Sequence, residues 1–89
     1  MRITKIKIPL LLQPFTENND KVEVNGTTVR DCLYALATRF PRVKEWLFDS
    51  GGSLKVIIVV NRQVVPQNKL DAEVFDNDQI TIIIPMNGG

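Results

Sequence analysis

The segment from Asn25 to Pro41, NGTTVRDCLYALATRFP, contains the clearest element of secondary structure in this 89-residue sequence. Apolar side chains recur within it at spacings of three and four residues, which places them on one face of a helix. Thr28 is positioned to cap the first turn, and Pro41 closes the segment. The sequence therefore predicts one amphipathic helix, with an apolar face formed by Val29, Leu33, Leu36, Ala37 and Phe40.

Strand patterns lie on both sides of this helix. On the N-terminal side, residues 2–8 alternate lysine with isoleucine, and KVEV at residues 21–24 repeats the period of two. On the C-terminal side, LKVIIVV at residues 54–60 is rich in β-branched side chains, and two further strands are predicted at residues 63–65 and 79–84. The predicted order is strand, strand, helix, strand, short strand, strand, which fits a single domain.

The polar residues of the strands indicate which face each strand buries, because a polar side chain is less costly in water than in the core. Lys5, Lys55 and Thr81 are expected on the solvent side. The helix then covers a face that carries Ile6, Val56, Ile58, Ile80, Ile82 and Ile84. The opposite face exposes Ile57, Val59 and Ile83, whose expected adjacency favours a docking patch over the scattered apolar residues common on protein surfaces.

Composition excludes several classes of function. The chain has no histidine and one cysteine, Cys32, so a triad hydrolase, a disulfide or a Cys-based metal site is not expected. The net charge of +1 does not indicate nucleic-acid binding. The basic and apolar N-terminus alternates as a strand does, so neither a signal peptide nor a membrane span is predicted, and a reducing cytoplasm is the expected location.

Three remaining features are interpreted as structural. Cys32 lies in the middle of the predicted helix, next to the apolar face, and is expected to be a packed thiol. Trp46 and Phe48, in a segment that predicts a short helical turn, are expected to pack on the core. The Gly51-Gly52 pair has no phosphate-loop lysine at the required spacing, so it is predicted to lie in a surface loop.

Several stretches resemble the small-subunit family of molybdopterin synthase and its thiamine-pathway relative, which are ubiquitin-like sulfur carriers. They are TTVRDCLYAL at residues 27–36, IIVVNRQVV at 57–65 and DNDQITIIIPMNGG at 76–89, and IPLLLQPFT at 8–16 resembles a branch that includes a carrier for cysteine biosynthesis. The resemblance implies an α+β fold, the ubiquitin-like β-grasp, in which one main helix packs on one face of a mixed sheet. The chain would then be a single β-grasp domain over residues 1–89.

Two positions depart from the family pattern. Asn77 stands where the last turn of the family has glycine, and Arg62 stands in place of the glycine that follows Asn61. Asparagine tolerates a positive φ, so the first change is mild. The second leaves the turn type of the hairpin open.

The resemblance also implies a role for a flexible tail at residues 85–89. An activating enzyme would use ATP to adenylate the carboxylate of Gly89, and sulfur from a donor would replace AMP to give a thiocarboxylate. Gly88 would allow close approach to an active site, and Pro85 would stiffen the exit from the sheet. The chain would be a carrier that binds no cofactor itself, rather than an enzyme.

The partners implied by the resemblance are the activating enzyme and a sulfur-acceptor enzyme, such as the large subunit of a synthase. Ile57, Val59, Ile83 and Pro85 are the residues expected to contact them. The acceptor enzyme selects the pathway, molybdopterin, thiamine, cysteine or another, and the sequence leaves this choice open. Two alternatives also remain: a protein modifier joined through Gly89 to lysines, and a β-grasp interaction module whose diglycine has no role.

Overall fold

The computed structural model describes residues 2–85, which form five strands and two α-helices joined by short 3-10 segments. The strands are β1 (Ile3–Lys7), β2 (Lys21–Asn25), β3 (Ile57–Val60), β4 (Gln63–Val65) and β5 (Gln79–Ile83). The helices are α1 (Val29–Arg39) and α2 (Lys44–Leu47), and the 3-10 segments are Leu10–Thr16, Pro41–Val43 and Gln67–Lys69. The predicted order of strands and main helix is confirmed.

The five strands form one mixed sheet in the order β2-β1-β5-β3-β4. The neighbouring strands β1 and β5 run parallel, while the other three neighbouring pairs are antiparallel. The first strand of the described chain is therefore paired with the last, and β5 joins the β1–β2 hairpin to the β3–β4 hairpin. With one long helix on one face, this is the predicted β-grasp architecture.

Helix α1 begins and ends where the sequence predicts. The hydroxyl of Thr28 accepts a hydrogen bond from the backbone N–H of Asp31 at 3.1 Å, which satisfies one free donor of the first turn. At the other end, the N–H of Phe40 donates to the carbonyl of Leu36 at 2.8 Å, and Pro41 follows. All five residues assigned to the apolar face are buried.

The predicted inward face of the sheet is also confirmed. Ile6, Val56, Ile58, Ile80 and Ile82 are buried in a single core with the apolar face of α1, and Ile84 packs against it while partly exposed. Phe48 is buried and its ring stacks on that of Tyr34 at 5.2 Å, while Trp46 packs against the same core. Gly51 and Gly52 lie in an exposed turn, as expected.

Two segments differ clearly from the prediction. The strand expected over residues 54–60 begins only at Ile57, because Leu54 pairs with Phe48 and the N–H of Lys55 donates to the carbonyl of Leu47. The backbone there bonds to the α2 segment instead of β5. No regular element was predicted for residues 10–16, but they form a 3-10 helix. The segment is short and contains Pro14, which is compatible with a 3-10 helix of this length.

The Asn25-Gly26 pair, a combination common in turns, does not form a turn here. Asn25 is the last residue of β2, paired with Ile3, and the φ of Gly26 is not positive. The N–H of Gly26 donates to the carbonyl of Arg2 at 3.2 Å, so the extended pairing continues to this residue. Gly26 is needed here for close packing against α1 rather than for a turn.

Candidate functional site: the open face of the sheet

The face of the sheet opposite α1 carries the apolar residues predicted to form a docking patch. Ile57 of β3 lies directly opposite Ile83 of β5, and Val59 lies opposite Thr81. Ile57 and Ile83 are 38% and 43% exposed, and Val59 is half-buried between its neighbours. The structure thus brings the three predicted residues together on adjacent strands.

A fourth apolar residue, Val64 of β4, completes this group. It pairs with Val59 across the β3–β4 hairpin and is 65% exposed, the largest exposed fraction in the group. Sequence reasoning did not assign it, although the signal was available. A two-residue turn at Asn61-Arg62 sets residue 59 opposite residue 64, so an outward Val59 requires an outward Val64. We call Ile57, Val59, Val64 and Ile83 the open-face patch.

The hairpin that carries Val64 is fixed to β5 by Asn61. Its backbone N–H donates to the carbonyl of Gln79 at 2.8 Å, and its side-chain oxygen accepts from the N–H of Gln79 at 3.1 Å. The φ of Asn61 is 57°, while Arg62 has no positive φ, so the turn is not type I′, which needs both. Asparagine is therefore sufficient here, and the departure at Arg62 does not disturb the hairpin.

The other half of the same face is charged. Lys5 of β1 lies between Glu23 of β2 and Gln79 of β5, and Lys7 lies between Lys21 and Thr81. All of these lysines are exposed, so positive charge exceeds negative charge on this part of the sheet. A partner that presents carboxylates beside an apolar surface would be complementary to the open face.

The C-terminal tail begins beside the open-face patch. Strand β5 ends at Ile83, Ile84 turns back towards the core, and Pro85 is exposed. Gly88 and Gly89, on which the predicted chemistry depends, lie outside the described residues. Pro85 itself is accessible to a partner that docks on the patch.

Cys32 is not part of this site. It lies in α1, on the other side of the sheet, and is completely buried. Burial raises the pKa of its thiol, the carboxylate of Asp31 raises it further, and the neighbouring Thr4 hydroxyl opposes these effects only in part. The nucleophilic thiolate is therefore disfavoured, in agreement with a packed thiol.

The rest of the described chain offers no second site with catalytic character. A half-open cavity of about 550 Å³ lies along the β3–β4 hairpin, lined by Asn61 to Val65 and by residues such as Lys69 and Glu73, at the opposite end of β5 from the tail. Among residues 2–85, no cluster of three acidic, cysteine or histidine side chains could hold a metal ion. Within the same range, no helix has the length and hydropathy needed to cross a membrane.

The family of this chain follows from a match to a protein-family model. Residues 6–89 match the model of the ThiS family, so the match extends through both terminal glycines. The chain belongs to the ThiS family. This membership confirms the resemblance to ubiquitin-like sulfur carriers inferred from the sequence.

Solved structures agree with the assignment to the ThiS family. A chain of the Amycolatopsis orientalis BexX/CysO complex is 29% identical, with a TM-score of 0.85 over 97% of this chain and 99% of that one. CysO from Mycobacterium tuberculosis is 28% identical, with a TM-score of 0.83 over 93% and 99%. Small archaeal modifier protein 1 from Methanosarcina acetivorans is 25% identical, with a TM-score of 0.84 over 100% and 98%. This ThiS-family chain therefore has the length and fold of its structural neighbours.

Proposed function

We propose that this protein carries sulfur as a thiocarboxylate at Gly89. The observation that supports this most directly is the ThiS-family match, which extends through Gly88 and Gly89. The open-face patch supports it further, because it places an exposed apolar surface beside the strand that leads into the tail. The folded domain would serve as the handle by which partner enzymes bind the tail.

The chemistry proceeds in two stages on partner enzymes. The carboxylate of Gly89 attacks the α-phosphorus of ATP and releases pyrophosphate, which leaves an acyl-adenylate with AMP as a good leaving group. A persulfide on a sulfur donor then attacks the acyl carbon and expels AMP, and a thiol reduces the resulting acyl disulfide. The products are the thiocarboxylate and a disulfide between the donor and the thiol.

The residues of this chain contribute position rather than reactivity. A terminal glycine carboxylate is unhindered, and Gly88 lets the backbone approach a catalytic surface closely. Pro85 restricts the backbone where the tail leaves the sheet. The activating enzyme and the acceptor enzyme bind the open-face patch, and the acceptor determines the product, a molybdopterin-type cofactor or a related sulfur compound.

Deletion of Gly88 and Gly89 tests this function. We expect the shortened chain to keep the melting temperature of the full chain, because β5 ends at Ile83, and to lose sulfur loading completely. The measurement is intact-protein mass spectrometry after incubation with the activating enzyme, ATP and a sulfur donor. The full chain should gain the mass of one oxygen-to-sulfur exchange. A shortened chain that still gains this mass would contradict the proposal.

Similarity to small archaeal modifier protein 1 favours a second candidate function, conjugation of Gly89 to lysines of other proteins. Both functions share the adenylation of Gly89 and differ in the acceptor, which is sulfur in the first and an amine in the second. The same incubation, with a lysate of the source cells added, separates them. Thiocarboxylate without adducts supports the carrier, and lysine adducts that contain the C-terminal peptide support the modifier.

A further inference from the structure

Two leucines at the start of the first 3-10 helix are unusually exposed. Leu10 is 80% exposed and Leu11 is 55% exposed, while the next residue, Leu12, is completely buried. The run is thus divided, with one leucine in the core and two in water. Two adjacent leucines that leave most of their side-chain surface in water form an apolar patch, and such patches are candidates for contact with another molecule.

Hydrogen bonds hold the backbone of the segment that carries these leucines. The N–H of Leu12 donates to the carbonyl of Pro9 at 2.9 Å, and the side chain of Gln13 donates to the carbonyl of Ile8 at 3.2 Å. The burial of Leu12 and Thr16 fixes the same turn to the core. Leu10 and Leu11 are therefore presented in a set direction, which reduces the entropy that binding would cost.

The pairing of β1 with β5 places the leucines near the tail. The two strands are parallel and Lys7 is opposite Thr81, so both strands finish at the same end of the sheet. Leu10 follows Lys7 by three residues, and Pro85 follows Thr81 by four. The start of the 3-10 helix and Pro85, where the tail begins, thus follow neighbouring strands at the same end of the sheet.

The tail is short, and this restricts where its enzyme can bind. This step rests on the proposed function, in which Gly89 is the reacting residue. Four residues beyond Pro85 span at most about 14 Å when fully extended. An enzyme whose active site holds the carboxylate must therefore contact the residues around Pro85. A typical interface buries about 800 Å² on each partner, so the contact of this enzyme would extend beyond the residues around Pro85.

We propose that Leu10 and Leu11 form a second docking contact, separate from the open-face patch, which packs against an apolar surface at the mouth of the activating enzyme's active site. The activating enzyme is the occupant because adenylation is the step that sulfur transfer and lysine conjugation share. No charged residue lies between Ile8 and Thr16, so the complementary surface is apolar.

The test measures ATP–pyrophosphate exchange by the activating enzyme as the concentration of the carrier is varied. For Leu10→Ser/Leu11→Ser we expect the KM for the carrier to rise about tenfold or more, with kcat changed less than about twofold. Phe75→Ser is the control, because Phe75 is also 55% exposed but precedes β5 at the opposite end of the sheet. Its KM should equal that of the wild type.

The outcomes separate this inference from the proposed function. A wild-type chain that supports no exchange would overturn both, whereas exchange with the same KM in the wild type and the double serine variant would overturn only the leucine contact. The leucine contact is supported if the double serine variant has a higher KM and an unchanged melting temperature, and if Leu10→Met/Leu11→Met has the KM of the wild type. If KM is unchanged but sulfur transfer to the acceptor is slower, or a dimer is lost, the leucines contact the acceptor enzyme or a second copy of the chain instead. Either result would overturn the inference.

Discussion

Gly26 shows how a single residue fixes the distance between the helix and the sheet. A Cβ atom added to Gly26 would lie 2.8 Å from the sulfur of Cys32 and 3.0 Å from its backbone nitrogen. The first contact is shorter than packed atoms tolerate and the second is unusually tight, and the nitrogen belongs to the backbone of α1 near its start. The start of α1 can approach the end of β2 this closely only because residue 26 has no side chain.

We therefore expect Gly26→Ala to lower the free energy of unfolding by about 1–3 kcal/mol, because the helix must shift to relieve the overlap. Urea denaturation measures this change. Gly51→Ala is the control, since its new Cβ would meet nothing closer than an Asp49 carboxylate oxygen at 3.5 Å, and its effect should stay within about 0.5 kcal/mol. Equal effects at the two glycines would show that the close approach at Gly26 is not a constraint.

The buried thiol of Cys32 makes stability depend on pH in a defined direction. Burial raises the pKa of Cys32, so the folded state holds the thiol proton more tightly than the unfolded state. The resulting stabilisation is fully present below the ordinary thiol pKa and is lost as the pH rises through the raised pKa of the folded protein.

The comparison of wild type with Cys32→Ala isolates this effect. The variant loses packing at every pH, but only the wild type should lose additional stability above the ordinary thiol pKa. Urea denaturation at neutral and alkaline pH provides both curves. If the difference in unfolding free energy between the two proteins stays constant over this range, the thiol proton does not contribute.

At the scale of elements, the sheet has one face for the core and one for partners. Ile57 and Ile58 are adjacent in β3, yet Ile58 is buried against α1 and Ile57 belongs to the open-face patch. This alternation could be predicted from the sequence, because Lys55 and Thr81 mark the solvent side of their strands and each strand repeats every two residues. The amphipathic period of α1 was equally clear.

Other elements could not be predicted from local sequence. The start of β3 depends on the Phe48–Leu54 bridge, which is a tertiary contact. The 3-10 helix at Leu10–Thr16 is too short to show a period in the sequence. The role of Val64 required the register of the hairpin, and the candidate site was therefore predicted only in part.

The open-face patch predicts a selective loss of partner binding. Ile57→Glu or Ile83→Glu should weaken capture by the activating enzyme about tenfold or more, because a carboxylate would be buried without a partner in the interface. The melting temperature should change little, since both side chains are already exposed. The measurement is the KM for the carrier in ATP–pyrophosphate exchange, with the melting temperature followed by circular dichroism.

Ile3→Glu is the matched control for these variants. Ile3 lies on the same face of the sheet and is 51% exposed, but it is at the start of β1, far from the root of the tail. It should bind as the wild type does. If Ile57→Glu unfolds the domain, the assignment of faces is wrong, and if Ile3→Glu is equally damaging, the effect reflects charge rather than position.

The whole molecule is organised around a single core. Buried residues from β1, β2, both helices, β3 and β5 form one cluster, and no second cluster is present within residues 2–85. Trp46, the only tryptophan, is partly buried and packs against this cluster from α2. The fluorescence of Trp46 therefore reports on the packing of this core.

We expect unfolding in urea to be a single cooperative transition. Trp46 fluorescence reports on α2, and far-ultraviolet circular dichroism reports on the sheet and α1, so the two midpoints should coincide. A separate, earlier fluorescence transition would show that the α2 region unfolds independently of the sheet.

The central position of β5 has a mechanical consequence for a protein held by its tail. A partner that pulls on the residues after Pro85 applies force along β5, whose hydrogen bonds to β1 on one side and β3 on the other run across the strand. The load falls on both rows of bonds together and shears them, rather than opening them one at a time as in a zipper. The tail can therefore be drawn tightly into a narrow channel while the domain behind it stays folded.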